Sequence, residues 1–178
     1  DAEREAREGQ RGIWKQGAMA YPDYEERLKW WAEREAVITR FEKAAVEDPE
    51  HYIALTRWDA MLKLESKVGQ EVTILGSVSD LKYSEGNGPS VVKLARTRTN
   101  DFDIVFFDRD VLLSTGVQFK KSEFVQVRGT VQKYKNEKGW ERLQVVVSLP
   151  GQVLAPSTSL EKLLTDDQKR AERSEEDD

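Results

Sequence analysis

Residues 72–107 alternate apolar and polar side chains, stop at a Gly-Asn-Gly-Pro turn, and then alternate again. In the stretch VTILGSVSDLKYSEGNGPSVVKLARTRTNDFDIVFF, the residues Val72, Ile74 and Val78 fall on one face of an extended chain, because successive side chains of a strand point to opposite sides. Such strands bury one face and leave the other in water. The pattern predicts half of a small barrel whose outer face and loops are free to bind a ligand.

Five such strands follow one another in the second half of the chain, and Gly76 permits a bend or bulge in the long first one. A short helix, which Asp108 can cap, is predicted between the third and fourth strands at 108–116. This order is that of the OB-fold, a five-stranded Greek-key barrel. An SH3-like barrel is the main alternative, but it lacks a helix at that point. The strands are expected at 70–83, 91–97, 102–107, 123–134 and 140–149.

The first third of the chain has the periodicity of helices. Residues 2–9 are charged and helix-forming, and apolar side chains recur at three- and four-residue steps over 23–46 and again over 49–65. We therefore expect a mainly β protein in which two to three helices precede the barrel. The tryptophans of these helices are expected to pack a helical layer against the barrel, with base stacking as the alternative; they are Trp30, Trp31 and Trp58.

Charge divides the chain into three parts that match this organisation. The helical segment, residues 1–66, carries 11 Lys and Arg against 15 Asp and Glu, a net charge of −4. The barrel, residues 67–156, carries 13 against 10, or +3, and the tail, residues 157–178, carries 4 against 8, or −4. The tail composition predicts disorder. A mildly basic barrel between acidic flanks is compatible with an anionic ligand.

No apolar run approaches the roughly 20 residues that a membrane-spanning helix needs. The chain opens on Asp1 without an apolar leader, so we expect a soluble mature product or an excised fragment, with the choice between cytoplasmic and secreted left open. Cysteine is absent, which excludes disulfide bonds and thiol chemistry.

Residues with catalytic potential are sparse. The single histidine, His51, cannot form a multi-histidine metal site, and the chain holds no His-based triad. The SEGNGPS stretch lacks the GxxxxGK[ST] pattern of a phosphate-binding loop and is a turn. Acids are expected at strand and helix starts, so their clustering does not by itself indicate a cation site. We predict no catalytic residue, no metal and no cofactor; the clustered acids are Asp101, Asp103, Asp108 and Asp110.

Binding is better supported than catalysis. OB barrels hold ligands across their second and third strands and between two loops, here 84–90 and 135–139. Cations neutralise phosphates and aromatic faces stack bases, a combination typical of proteins that bind single strands. Outward parity and loop position select nine residues as the predicted nucleic-acid-binding set: Tyr83, Lys93, Arg96, Arg98, Arg128, Tyr134, Lys135, Lys138 and Trp140.

Other side chains near these strands are assigned by the same parity. Gln126 and Gln132 are expected on the outer face. Phe102 and Phe106 share a face with Ile104, which favours a place in the core, and Phe107 is left open.

Three stretches resemble a known family. DFDIVFFDRD at 101–110, VQVRGTV at 125–131 and RLQVVVSLPGQV at 142–153 look like the OB-fold modules of bacterial nucleic-acid-binding proteins, in particular those attached to staphylococcal-nuclease-like (thermonuclease) domains. The likeness covers roughly residues 68–155. AEREAREGQRGIW, residues 2–14, is similar to the last helix of such a nuclease domain, where a charged helix ends in a GRGLW-type motif.

This resemblance implies a division of labour. The arginines, Asp and Glu that bind calcium and activate water in that family would lie upstream of these residues, so the chain alone is not expected to cut nucleic acid. We therefore expect a non-catalytic module that binds single-stranded DNA or RNA, as the accessory part of a larger thermonuclease-like protein. The alternative is a protein-interaction or structural module in which Trp30, Trp31 and Trp58 form a seam to a partner or a second copy.

Overall fold

The computed structural model describes residues 2–12, 14, 24–84, 86–95, 101–135 and 139–156. Arg96, Arg98, Lys138 and the tail at 157–178 lie outside this set. Within the described ranges no helix is long and apolar enough to cross a lipid bilayer. The helices are α1 (Ala2–Glu8), α2 (Tyr24–Glu47), α3 (Ala60–Ser66) and α4 (Arg109–Thr115), and the strands are β1 (Tyr52–Ala54), β2 (Glu71–Lys82), β3 (Ser90–Ala95), β4 (Phe102–Phe106), β5 (Phe124–Lys135), β6 (Glu141–Val146) and β7 (Val153–Leu154).

Five of these strands close into a barrel. The long β2 pairs antiparallel with β5 through its first half and with β3 through its second half. β3 pairs with β4, β4 runs parallel to β6, and β6 returns antiparallel to β5, which completes the ring. α4 lies between β4 and β5 in the chain, and the side chain of Asp108 caps it. The predicted OB-type Greek-key barrel preceded by helices is confirmed.

The barrel interior follows the predicted alternation. Phe102, Ile104 and Phe106 are at most 2% exposed and pack in the main core, which confirms their assignment. Gly76 is required by close packing, since a Cβ there would lie 2.8 Å from Leu55 Cδ1. The bulge itself comes later in the strand, where the β2–β3 register shifts between Val78 and Asp80.

The helix predicted over 49–65 is wrong for most of its length. Only α3 forms there, while β1 precedes it as a strand parallel to β2. Ile53 and Leu55 are each 1% exposed and alternate with partly buried neighbours, which is the period of a strand. The backbone explains the outcome, because the Leu55 N–H donates to the Leu75 carbonyl at 2.8 Å and thereby extends the sheet. A short apolar run does not distinguish strand from helix by sequence alone.

α2 lies across the outer face of β1, β2 and β5. Its residues Val37 and Phe41 pack on Leu75 of β2 in a second, smaller apolar cluster. Gln126 of β5 points outward as predicted, but α2 covers it to 8% exposure, and its Nε2 donates to the Val37 carbonyl oxygen at 2.7 Å. The part of the barrel surface around Leu75 and Gln126 is therefore buried under the helix.

A polar contact fixes the N-terminal half of α2. Trp30 Nε1 donates a 2.5 Å hydrogen bond to Oε1 of the fully buried Glu123. Lys120 lies nearby, and its burial lowers the pKa of its ammonium group, while the carboxylates of Glu123 and Glu33 act in the opposite direction. The helix is thus held by specific polar partners as well as by apolar packing.

The three tryptophans that were expected to pack the helical layer against the barrel do not share one role. Trp30 is 5% exposed and packs between helix and barrel as expected. Trp31 and Trp58 are 57% and 83% exposed, so they do not pack the helical layer against the barrel. The predicted seam of three tryptophans is therefore not a continuous surface, because its first member is buried inside the molecule.

Candidate nucleic-acid interface

A groove of about 770 Å³ crosses the outer face of β3, β4 and β6, on the part of the barrel that α2 leaves uncovered. It extends from the β2–β3 connection to the start of β6. Its described lining residues are Pro89, Val91, Asp103, Val105, Phe107, Tyr134, Trp140, Arg142 and Gln144.

Two rows of outward side chains run across β3, β4 and β6, and the groove lies over part of each row. The apolar row is made by Val91, Val105 and Val146, which are cross-strand partners in the registers of β3–β4 and β4–β6. The polar row is offset by two residues along the strands, so both rows face outward. It consists of Lys93, Asp103 and Gln144.

Three aromatic side chains stand around this floor and are largely exposed. Phe107 follows β4 and is 68% exposed, Tyr134 near the end of β5 is 52% exposed, and Trp140 just before β6 is 69% exposed. Their positions follow from strand parity and from the β5–β6 hairpin, which brings the end of one strand beside the start of the next. Large exposed rings beside an apolar floor form a surface that planar bases can stack on.

The cations at the β5–β6 end are largely engaged with acids. Lys133 Nζ lies 2.9 Å from Glu141 Oε2 and 3.5 Å from Glu65 Oε1, and Lys135 Nζ lies 3.8 Å from Glu141 Oε1. The hydrogen bond that Lys133 donates to Glu141 raises the pKa of Lys133 and lowers the pKa of Glu141. These exposed pairs are weak and can exchange for phosphate, but they reduce the net positive charge of this end.

On the groove floor, one ion pair joins β4 to β6. Arg142 Nη1 lies 3.3 Å from Asp103 Oδ2. The Asp103 side chain is 14% exposed, whereas that of Arg142 is 57% exposed and extends toward water. Asp103 Oδ1 is buried and makes no hydrogen bond with any residue that the structure describes.

A smaller polar pocket of about 380 Å³ adjoins the groove at Phe107, which lines both. The β2–β3 loop forms one wall with Ser84, Asn87 and neighbouring backbone. Arg109, at the start of α4, lies over the Tyr83 ring with its Cζ 5.9 Å from the ring centroid. The pocket thus offers a guanidinium group and an aromatic face side by side.

The structure brings some of the predicted set together and separates others. Tyr134 and Trp140 line the groove, Lys93 is the cross-strand neighbour of the groove residue Asp103, and Tyr83 lines the adjoining pocket. Lys135 is at the hairpin end beside Glu141.

Arg128 does not join this group. It lies opposite Thr73 in the β2–β5 part of the barrel, with its Nε 3.8 Å from Glu71 Oε1. Six residues of strand, about 20 Å, separate it from Tyr134 on the same strand. Arg96, Arg98 and Lys138 remain sequence predictions, because they lie outside the described residues.

Sequence reasoning did not select several residues of the groove and its neighbouring pocket, among them Phe107, Arg142 and Arg109. Phe107 shares the outward parity of Asp103 and Val105, and Arg142 is outward because Leu143 and Val145 point inward. Both could have been found by extending the alternation one residue beyond each strand core. Arg109 could not, because its position depends on how α4 packs against the β2–β3 loop.

The clustered carboxylates have separate partners. Asp101 Oδ2 accepts a hydrogen bond from Ser79, Asp103 pairs with Arg142, and Asp108 caps α4. His51 Nδ1 lies 3.0 Å from Asp48 Oδ1, and this contact lowers the pKa of Asp48. In the described part of the chain no three His, Asp or Glu side chains are close enough together to hold a metal ion.

Comparison with family models and with curated protein sequences finds no match. Among solved structures, the chain is similar to OBody AM3L09 bound to hen egg-white lysozyme, with 17% identity and a TM-score of 0.39 over 51% of this chain and 84% of that one. It is similar to the Stn1-Ten1 complex of S. pombe, with 14% identity and a TM-score of 0.35 over 60% and 71%. It is also similar to Rim1, a mitochondrial single-stranded DNA binding protein of S. cerevisiae, with 17% identity and a TM-score of 0.34 over 48% and 90%. At these values the likeness carries no argument about function.

Proposed function

We propose that this protein is a non-catalytic module that binds single-stranded nucleic acid in the groove across β3, β4 and β6. The observation that carries the proposal is the exposure of Phe107, Tyr134 and Trp140 around an apolar floor. Exposed apolar surface of this kind is unfavourable in water unless a ligand covers it. Bases have two flat apolar faces and can cover it.

A single strand fits this groove better than a duplex. Stacking on Tyr134 or Trp140 requires a base whose faces are not already stacked in a helix. A duplex presents phosphates on its outside and is bound mainly by cations, whereas Lys133, beside the β5–β6 hairpin, is paired with Glu141. The arrangement therefore supports stacking as the main source of affinity, with phosphate contacts second.

The test is the change in fluorescence anisotropy of a labelled twelve-nucleotide thymidine strand on titration with the protein. We expect saturable binding that is reduced at least tenfold by Tyr134→Ala combined with Trp140→Ala, since each stacked base contributes about 1–3 kcal/mol. Trp58→Ala is the matched control, because Trp58 is more exposed than either and lies outside the groove. Equal binding by the double variant and the control would overturn the proposal.

We propose further that the module serves a thermonuclease-like domain, as the resemblance of residues 2–14 and 68–155 implies. α1 ends in a turn where Gly9 N–H donates to the Glu5 carbonyl oxygen, and Arg7 then contacts the rings of Trp14 and Tyr24. These contacts join the end of α1 to the start of α2. In a protein that carries both parts, Tyr134→Ala with Trp140→Ala should raise KM for single-stranded DNA and leave kcat unchanged. An unchanged KM would contradict this role.

A protein-interaction module is the second candidate, and one observation favours it. Trp58 and Leu62 are 83% and 66% exposed at the start of α3, away from the groove. A partner or second copy could cover them, although Trp30 cannot take part because it is buried. Sedimentation of the native chain beside Trp58→Ser with Leu62→Ser separates the two functions: self-association that only the native chain shows would support this candidate.

A further inference from the structure

Asp103 of the polar row has a cationic residue on each of the two neighbouring strands. Asp103 lies between Lys93 of β3 and Gln144 of β6, and Arg142 Nη1 lies 3.3 Å from its Oδ2. An acid is unexpected in a groove that receives a polyanion, because it repels phosphate. Its place in the middle of the floor therefore calls for a partner other than phosphate.

Asp103 also has spare hydrogen-bonding capacity. Its Oδ1 is buried without a hydrogen bond to any described residue, and its Oδ2 has a single long bond to Arg142. A carboxylate can accept about four hydrogen bonds, and a buried oxygen that accepts none is destabilising. A ligand that brings two adjacent N–H donors to this carboxylate would satisfy both oxygens at once.

We propose that Asp103 makes the groove selective for guanine, an inference that rests on the single-strand-binding function proposed above. Guanine is the only common base whose pairing edge has two adjacent donors, N1–H and N2–H, and beside them it has the acceptor O6. The donors match the two oxygens of Asp103, and O6 matches the cationic head of Lys93 or Arg142. Adenine and cytosine each present one amino group next to an acceptor nitrogen that repels a carboxylate, and thymine flanks its single donor with two acceptors.

Arg142 is the side chain that moves away from Asp103 when the base binds. Oδ1 is closed to solvent in the free groove, so a covering side chain must move before a base can reach it. Arg142 is 57% exposed and holds Asp103 through one 3.3 Å contact, which is weak for a charge-assisted hydrogen bond. After it swings away, its guanidinium group can donate to guanine O6 or to a neighbouring phosphate.

The experiment compares four labelled nine-nucleotide strands of thymidine in which positions four and six are guanine, adenine, cytosine or unchanged. Titrations in lithium chloride avoid guanine quadruplexes. We expect the guanine strand to bind at least tenfold more tightly than the other three. Asp103→Asn should reduce this ratio to about one, because an amide offers one acceptor and a donor that repels N1–H.

Glu71→Gln is the matched control, since it removes the same charge from the β2–β5 side of the barrel, beside Arg128. It should keep the full guanine preference. Thermal unfolding of each variant establishes that it is folded. Binding of all four strands with equal affinity by the native chain, or a guanine preference that Asp103→Asn retains, would overturn the selectivity while leaving the single-strand function intact. No binding to any strand would instead overturn the function itself.

Discussion

The outer surface of the barrel has two faces whose strands show the same alternation of inward and outward side chains. The outward side chains are buried on one face and exposed on the other. On β1, β2 and β5 the outward side chains meet α2, so that Leu75 is 4% exposed and Gln126 is 8% exposed. On β3, β4 and β6 no described helix covers the outward side chains, and Phe107 and Trp140 remain more than two-thirds exposed. Both faces carry large apolar groups, but among the described residues a helix covers only one of the two faces.

This difference between the two faces indicates which exposed residues need an explanation. Isolated apolar side chains on a protein surface are ordinary. Phe107, Tyr134 and Trp140 are different because they surround one groove with an apolar floor, as Val37 and Phe41 of α2 surround Leu75 on the other face. The open face has the character of a covered face, but no helix that the structure describes lies on it. A ligand that supplies flat apolar surface would complete it.

The largest expected effect is a difference in the stability lost by substitutions on the two faces. Phe41→Ala should destabilise the protein by about 3–5 kcal/mol, because Phe41 is 3% exposed between Val37, Leu75 and the Tyr52 ring and its removal leaves a cavity. Phe107→Ala should change stability by less than about 0.5 kcal/mol, as for other exposed positions. Urea denaturation monitored by tryptophan fluorescence measures both. Similar losses from the two variants would show that the open face is part of the folded core.

The second largest expected effect is on binding, where a substitution on the open face should matter and one outside it should not. Phe107→Ala should weaken binding of a single-stranded thymidine strand by about 1–3 kcal/mol, or roughly 5- to 150-fold, if one base stacks on this ring. The exposed Trp31 of α2 provides the control, since Trp31→Ala removes a larger ring outside the groove. Anisotropy titrations of both variants at one salt concentration suffice. A loss from Trp31→Ala equal to that from Phe107→Ala would move the ligand to another surface.

The barrel could be predicted from sequence because its signal is local. Alternation fixes which side chains point inward on each strand, and the single helix between the third and fourth strands selects the topology. The failures come from contacts between distant segments. Ile53 and Leu55 form a strand because β2, about twenty residues further along, pairs with them. Likewise, Gln126 is buried because α2 docks on β5, which no pattern around Gln126 can reveal.

For the candidate site too, positions that depend on local structure could be predicted and those that depend on distant segments could not. Tyr134 and Trp140, two of the predicted binding residues, line the groove together because a hairpin places its ends beside each other. Arg128 shares their outward parity but lies apart, because β5 pairs with β2 at that point and with β6 only further along. Parity predicts the face of a sheet, whereas the position around a closed barrel depends on which neighbour each part of a strand has.

The salt dependence of binding should distinguish the cations of the open face from those of the covered face. We expect about five phosphate contacts, from Lys93, Arg142 and the sequence-predicted Arg96, Arg98 and Lys138. For a single strand each contact contributes about −0.7 to the slope of log affinity against log salt concentration, so the total slope should be about −3.5. Replacing Arg96, Arg98 and Lys138 by alanine should reduce it to about −1.4. Arg128→Ala should leave it unchanged, because Arg128 pairs with Glu71 on the other side. A slope that changes with Arg128 alone would place the strand along β2 and β5.

The smallest expected effect concerns the ion pairs at the hairpin end. Glu141 has a pKa held below its usual 4.5 by Lys133, so its contribution to stability is present above that pH and is lost as the pH falls through the lowered value. Lys133 has a pKa held above its usual 10.5 by Glu141, so the same contact is lost at the other end as the pH rises through the raised value. The stability difference between the native chain and Glu141→Gln should therefore be constant from about pH 5 to 10 and shrink outside that window. Both groups are exposed and screened by water, so the difference should lie close to the precision of urea midpoints. A large difference at pH 7 would mean that the hairpin end is a structural element of the barrel, and that its lysines are not available to exchange Glu141 for a phosphate.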